Sequence, residues 1–245
     1  MLRELQEDFD LDALRLQPDL NREVWDEEDR LSPEVAERLL MIAEDFIRKL
    51  KMDGLTIHDI VLTGSLANYN WSRYSDFDLH IVLDFRQVDE NEKLVKKFFD
   101  ARRLNWNKAH QIFLKDYEVE IYIENRGEPH ESTGIYSVKY DRWIIKPRRG
   151  EQRIDKENAK KKAQAIKLQI DDIERLFKKE KHDEVLKRAE EVKQKIMKMR
   201  RSGLEKGGVY SIENLAFKLL RRAKEIGKLM KFGVDSYDAK MTLDD

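Results

Sequence analysis

Hydrophobic positions in the first half of the chain change from a helical to a strand-like period and back. Residues 33–52 carry apolar side chains three and four positions apart after a Ser-Pro start, which predicts an amphipathic helix. The next apolar segments predict strands at residues 57–63, 76–83 and 117–123, the last of them with strict alternation. The pattern therefore predicts a sheet with at least one covering helix.

Three further segments extend this sheet and its cover. Residues 90–110 suit a second helix, and short strands at 134–139 and 142–146 predict a hairpin around Tyr140. The apolar side chains expected to face the core from the second helix are Leu94, Phe98, Leu104 and Trp106. Residues 66–74 are irregular, and we assign them only a helical turn and a loop.

From Asp155 onward the apolar period is helical throughout. Two successive stripes predict a helical hairpin: Ile166, Ile170, Ile173 and Phe177, then Val185, Ala189, Val192, Ile196 and Met199. We expect Gly203 and the Gly207-Gly208 pair to break the second helix and Ser211 to cap a final one. That final helix would carry Leu215, Leu219, Ala223, Ile226 and Met230.

These elements predict an α+β fold in which a mixed sheet flanked by helices is followed by a C-terminal all-helical region. We expect an acidic N-terminal arm over residues 1–32, an α+β domain over residues 33–147 and a helical domain over residues 148–245. The predicted chemistry therefore lies in the middle segment.

Composition narrows that chemistry. The 245 residues include no cysteine, so any metal ligand must be an oxygen or an imidazole nitrogen. The first ten residues are acidic and lack the pattern of a signal peptide, and no segment approaches 18 apolar residues. We therefore expect a soluble, cytoplasmic protein with no membrane association.

The net charge of -1 conceals an uneven distribution of charges. Residues 1–30 hold 11 acidic and 4 basic residues, whereas residues 139–167 hold 11 basic and 4 acidic ones. The basic run, with Lys146, Arg148 and Arg149, suits either a phosphate-binding surface or solvated helix faces. The same two interpretations apply to the basic residues of the last predicted helix, which are Lys218, Arg221 and Arg222.

The most informative segment joins the first two predicted strands. Gly64-Ser65 ends the first strand, and the second carries Asp76, Asp78 and His80 at alternate positions and therefore on one face. Two carboxylates on one face can hold hard cations. Gly64 permits a close backbone approach, and Ser65 at a helix N-terminus would offer a hydroxyl and an amide to phosphate oxygens.

The third long strand repeats this pattern. Glu118, Glu120 and Tyr122 share one face, so the strand can supply a third carboxylate for a two-metal site. The spacing alone does not choose between the glutamates, which also suit the solvated face of an edge strand. Glu120 lies in the middle of the apolar alternation, where the backbone should be held most firmly.

Other residues near the aspartates have more ordinary interpretations. A lone histidine such as His80 more often packs or forms hydrogen bonds than binds metal. Trp71 and Tyr74 suit either packing or stacking on a base.

Gly64-Ser65 followed by Ser75-Asp76-Phe77-Asp78-Leu79 resembles the motif of the DNA polymerase beta-like nucleotidyltransferase superfamily. This resemblance implies a polymerase beta-like mixed sheet, metal ligation by Asp76, Asp78 and an acid matching Glu120, and transfer of a nucleoside monophosphate from an NTP.

Residues 58–147 look most similar to nucleotidyltransferases predicted in tailed bacteriophages, through Trp106-Asn107, His110, Glu128-Pro129-His130 and Gly134-Ile135-Tyr136. A phage origin would imply the host cytoplasm.

The resemblance implies two Mg²⁺ or Mn²⁺ ions and an NTP as ligands. Gly64, Ser65, Lys218 and Arg222 are the candidate NTP-binding residues. The expected acceptor is a hydroxyl, and the basic segment favours the 3′ end of RNA or DNA. Two alternatives remain: transfer to a protein or small molecule, including synthesis of a nucleotide signal, and an inactive nucleotide-binding module. The oligomeric state is left open.

Overall fold

The computed structural model describes residues 9–52, 54–129, 132–149 and 154–243. These residues form two compact units: residues 16–149 make an α+β unit, and residues 9–15 with 154–243 make a helical unit. The first eight residues of the expected acidic arm, and His130 of the resemblance, lie outside the described residues.

The α+β unit is built on a mixed sheet flanked by helices, as predicted. Its helices are α1, Pro33–Leu50, and α2, Glu92–Ala109; its strands are β1 Ile57–Thr63, β2 Asp76–Leu83, β3 Phe113–Leu114, β4 Tyr117–Asn125, β5 Ile135–Ser137 and β6 Arg142–Ile145. The sheet order is β3-β4-β2-β1-β5-β6, with β2 and β4 parallel and the other neighbours antiparallel. The predicted bounds of β1 and β2 are confirmed.

The two faces of β2 differ in character because its side chains alternate. Phe77, Leu79 and Ile81 are fully buried in a core that also contains residues of α1 such as Leu39 and Phe46. The aspartates and His80 occupy the alternate, half-buried positions. One face of β2 therefore packs into the core, and the other carries the half-buried polar side chains.

Residues 16–32 belong to the α+β unit, so the expected boundary after residue 32 falls inside it. Leu20, Val24 and Trp25 are buried in its core. The Trp25 ring stacks on Trp143 of β6 with ring centroids 4.6 Å apart, and its indole nitrogen donates to the Leu66 carbonyl at 2.8 Å. This segment is a structural part of the unit.

The predicted apolar stripe of α2 was wrong by one position. Leu94, Phe98 and Leu104 are exposed, whereas Val95 and Phe99 are buried. Trp106 alone of the four predicted residues packs against the core, edge-on to Phe46. A helix with apolar residues on adjacent positions offers two similar stripes, and the neighbouring elements select one.

Two features of the sheet were not anticipated. The two-residue strand β3 is too short to show a period in sequence, and it pairs with the start of β4. The residues after Gly64 form turns, so the helix N-terminus expected at Ser65 is wrong. The Asn68 N–H donates to the Ser65 carbonyl at 3.1 Å and closes one of these turns.

The helical unit contains the predicted hairpin. It comprises α3 Lys156–Phe177, α4 His182–Gly207, α5 Ile212–Arg222 and α6 Glu225–Met241. Both predicted stripes form its core, with the isoleucines of α3 and Val185, Ala189, Val192 and Ile196 of α4 buried. None of the helices in the described ranges is both long and apolar enough to cross a membrane.

Three expectations for this unit were wrong. Gly203 lies inside α4, where a Cβ atom would stand 2.5 Å from the Glu213 Cβ, so this glycine serves the close approach of α5. The single final helix is divided at Lys224, whose φ of 60° ends α5 and precedes α6. Leu229 is buried in place of Met230.

Candidate functional site

The acidic side chains of β2 and β4 meet on one face of the sheet. The parallel register sets Asp78 opposite Glu120 and Asp76 opposite Glu118. One carboxylate oxygen from each of Asp76, Asp78 and Glu120 lies within 4.8 Å of the other two, and all three residues are half-buried. Glu118 is outside this group. Three clustered carboxylates repel one another, and a group of this kind could hold a metal ion.

Gly64 brings the backbone against this group. It follows Thr63, which pairs with Asp78 across β1 and β2, and it has a φ of 76°. A Cβ atom on Gly64 would lie 1.8 Å from Oδ2 of Asp78. Glycine is therefore required here both for its backbone conformation and for the space that the carboxylate occupies.

Ser65 and Ser75 hold together the ends of the loop between β1 and β2. Their hydroxyl oxygens are 2.7 Å apart, and the Ser75 hydroxyl also accepts a hydrogen bond from the Ser72 N–H at 2.9 Å. The Ser65 hydroxyl thus has a structural partner beside the acidic group. Its expected contact with phosphate stays a prediction.

The third carboxylate has a half-buried tyrosine as its neighbour. The Tyr122 hydroxyl donates to Oε2 of Glu120 at 2.6 Å. Burial, the hydrogen bond to Glu120 and the charge of Asp78 all raise the pKa of Tyr122 above its usual 10. The phenol therefore stays protonated at neutral pH and acts as a donor.

His80 supports Tyr122 and lies outside the carboxylate group. Its ring stacks on Tyr122 with centroids 4.9 Å apart, and its Nδ1 is 3.0 Å from Oε2 of the buried Glu124. This agrees with the packing and hydrogen-bonding interpretation of His80. The apolar alternation of this strand ends at Ile123, so the sequence pattern did not indicate a role for Glu124.

Asn107 of α2 pairs with the open edge of β4. Its side-chain amide donates to the Ile121 carbonyl, and the Ile121 N–H donates to its Oδ1, both at 3.1 Å. The Asn107 amide thus forms with Ile121 the hydrogen bonds that a neighbouring strand would otherwise form. Ile121 lies between Glu120 and Tyr122. Sequence spacing gave no sign of this contact, which joins residues 14 positions apart.

The aromatic residues near the aspartates have protein partners. The Trp71 indole donates to the Asp19 carbonyl at 2.8 Å and packs against the core. The Tyr74 hydroxyl accepts from Arg73, whose guanidinium lies 4.9 Å from the Tyr74 ring centre. Packing accounts for Trp71, and base stacking by either residue stays a prediction.

Two residues of the basic run, which suited either a phosphate-binding surface or a solvated face, form ion pairs with the acidic N-terminal segment. Lys146 lies 2.8 Å from Asp29, and Arg149 lies 2.6 Å from Asp19. Arg148 is exposed. The charge asymmetry of the sequence is therefore partly satisfied within the α+β unit.

Lys218 and Arg222 lie on α5 in the helical unit. An Arg222 guanidinium nitrogen donates to the Ala13 carbonyl at 2.9 Å. Their expected contact with an NTP stays a prediction.

No protein-family model, curated protein or solved structure matches this chain.

Proposed function

We propose that this chain is a metal-dependent nucleotidyltransferase that moves a nucleoside monophosphate from an NTP to a hydroxyl acceptor. The observation that carries the proposal is the convergence of Asp76, Asp78 and Glu120 on one sheet face, each with an oxygen within 4.8 Å of the others. The polymerase beta-like arrangement of this mixed sheet is part of the same proposal.

The three residues fit Mg²⁺ or Mn²⁺ by the chemistry of their donors. All are carboxylates, the ligands that hard divalent cations prefer, and their half-burial limits competition by water. Bound cations would neutralise charge on the phosphates and activate the acceptor hydroxyl. Asp76, Asp78 and Glu120 would hold two such ions.

The neighbouring backbone suits a triphosphate. Gly64 has no side chain, so the Asp78 carboxylate lies directly against the main chain there. Ser65 follows directly, its hydroxyl lies 2.7 Å from that of Ser75, and its amide and hydroxyl would bind phosphate oxygens. Phosphoryl-type transfer depends mainly on positioning and electrostatic stabilisation, and these residues supply the positioning.

The acceptor proposed first is the 3′ hydroxyl of RNA or DNA. The exposed Arg148 and its neighbours in the basic segment support it, although Lys146 and Arg149 are partly neutralised by their ion pairs. Binding through such residues should weaken steeply with salt.

The test incubates the protein with each labelled NTP, Mg²⁺ or Mn²⁺, and RNA, DNA, protein or no added acceptor. We expect label in one acceptor class, and transfer reduced by several orders of magnitude in Asp76→Asn and Asp78→Asn. Label in a protein or in a small product would move the proposal to another acceptor. Near wild-type transfer by the double variant would refute the assignment of the site.

A further inference from the structure

Tyr122 is fixed on three sides beside the acidic group. Its hydroxyl donates to Glu120, its ring stacks on His80 with an interplanar angle of 21°, and the Arg103 guanidinium lies 4.7 Å from the ring centre. His80 is itself held by Glu124, which is 7% exposed. The phenol therefore has little freedom to turn away from Glu120.

We propose that Tyr122 is a positioning residue that occupies one oxygen of Glu120 and directs the other toward the cation. This role rests on the proposed function. The carboxylate of a glutamate rotates easily about the last bond of the side chain. Repulsion from Asp78 would therefore turn an unrestrained Glu120 carboxylate away from the aspartates. A hydrogen bond from a fixed phenol opposes that rotation, as outer hydrogen bonds do for other metal ligands.

Tyr122→Phe tests this role because it removes the hydroxyl and keeps the stacked ring. We expect Mn²⁺ affinity, measured from the free-Mn²⁺ electron paramagnetic resonance signal, to fall about 10-fold. We also expect kcat to fall more than the KM for NTP changes. Tyr140→Phe is the matched control, since the Tyr140 hydroxyl donates to the His58 carbonyl instead.

The outcomes separate this role from the proposed function. Suppose that the wild-type protein binds Mn²⁺ and that Asp78→Asn abolishes this binding. Unchanged Mn²⁺ affinity in Tyr122→Phe would then overturn the role of Tyr122 and leave the proposed function intact. No Mn²⁺ binding by the wild-type protein would contradict the proposed function itself.

A second, independent observation concerns the surface of α6. Four of its apolar residues are exposed at intervals of four, three and four: Met230 (43%), Val234 (59%), Tyr237 (54%) and Met241 (60%). This is the spacing of the contact positions in a coiled coil. The inward side of α6, with Leu229 and Ser236, is already buried in the helical unit.

The structure points to a second copy of this chain as the occupant of this stripe, with the two α6 helices antiparallel. An antiparallel two-fold sets Val234 against Tyr237 and Met230 against Met241, so the stripe complements itself. The same arrangement brings Lys231 of each copy, which lies beside the stripe, opposite Asp238 of the other copy. The two-fold axis therefore gives two such pairs. In a parallel pair Lys231 would face Ile226 and Asp238 would face Gly233.

The expected association is weak. Four side chains are far fewer than the 20–30 residues a side of a standard interface, so a Kd of about 10⁻⁵ M is expected. Lys231 also forms an ion pair with Asp235 within α6. An exposed ion pair of this kind is weak, so it does not prevent Lys231 from pairing with Asp238 of the second copy.

Sedimentation equilibrium over micromolar to millimolar protein tests the dimer. We expect wild-type protein to dimerise, Val234→Glu to remain monomeric, and Leu168→Glu, an exposed position on α3, to behave as wild type. Lys231→Glu should weaken the dimer, and adding Asp238→Lys should restore it. A monomeric wild type, or a double variant as weak as Lys231→Glu, would overturn the antiparallel dimer.

Discussion

At the scale of single residues, the two glutamates of β4 differ in their contacts. Glu120 belongs to the carboxylate group and accepts from Tyr122, whereas Glu118 pairs with Asp76 in register but lies outside the group. We expect Glu120→Gln to abolish transfer while NTP binding largely survives through Asp76 and Asp78, and Glu118→Gln to reduce transfer much less. Single-turnover rates and NTP affinities of both variants decide this, and the reverse ranking would contradict the assignment.

Gly64 permits a second test at this scale. Gly64→Ala places a Cβ atom against Asp78, whereas Gly127→Ala meets nothing within 4 Å, although both residues have positive φ. Each substitution should cost about 1–3 kcal/mol of unfolding free energy through backbone strain. Only Gly64→Ala should also abolish transfer, because it displaces the Asp78 carboxylate. Denaturant unfolding and transfer assays measure both effects, and an active Gly64→Ala would contradict the close approach.

At the scale of secondary-structure elements, Asn107 joins α2 to β4. Asn107→Ala removes two hydrogen bonds at Ile121 and should lower the unfolding free energy by about 1–3 kcal/mol. Hydrogen exchange should show faster exchange of the Ile121 amide, and transfer should fall because Glu120 is adjacent. Asn158→Ala, on the exposed first turn of α3, is a control that leaves β4 unchanged. Unchanged protection of Ile121 would show that β4 does not need this pairing.

At the scale of the α+β unit, ion pairs connect residues 16–32 to the segment after β6. Burial alone would raise the pKa of Asp29, but hydrogen bonds and charge from Lys146 and Arg22 hold it below 3.8. A lowered folded-state pKa gives stability that is present above pH 3.8 and lost as the pH falls through the folded-state value. Asp29→Asn should therefore destabilise the protein at pH 7, and the difference from wild type should shrink below pH 3.8. Chemical denaturation of both proteins at pH 7 and pH 3 measures the difference in their unfolding free energies. An equal difference at the two pH values would contradict this linkage.

Local periodicity in the sequence determined much of the architecture. The bounds of β1 and β2, the shared face of Asp76 and Asp78, and the hairpin of α3 and α4 all follow from periods of 2 and 3.6 residues. These periods are properties of short segments, so one chain is sufficient to reveal them. The Gly207-Gly208 pair likewise predicted the end of α4 at Gly207, because glycine favours the end of a helix.

Only the tertiary structure decided which segments meet. The parallel pairing of β2 with β4 sets Asp78 opposite Glu120, and alternation within each strand is equally compatible with another register. The contacts of Tyr122 with Glu120 and His80, the burial of Trp25 and the buried side of α2 depend on the same choice of neighbours. Gly203 lies inside α4 for this reason too, because α5 packs against it. Sequence thus determined which side chains share a face, and packing between distant segments determined what each face contacts.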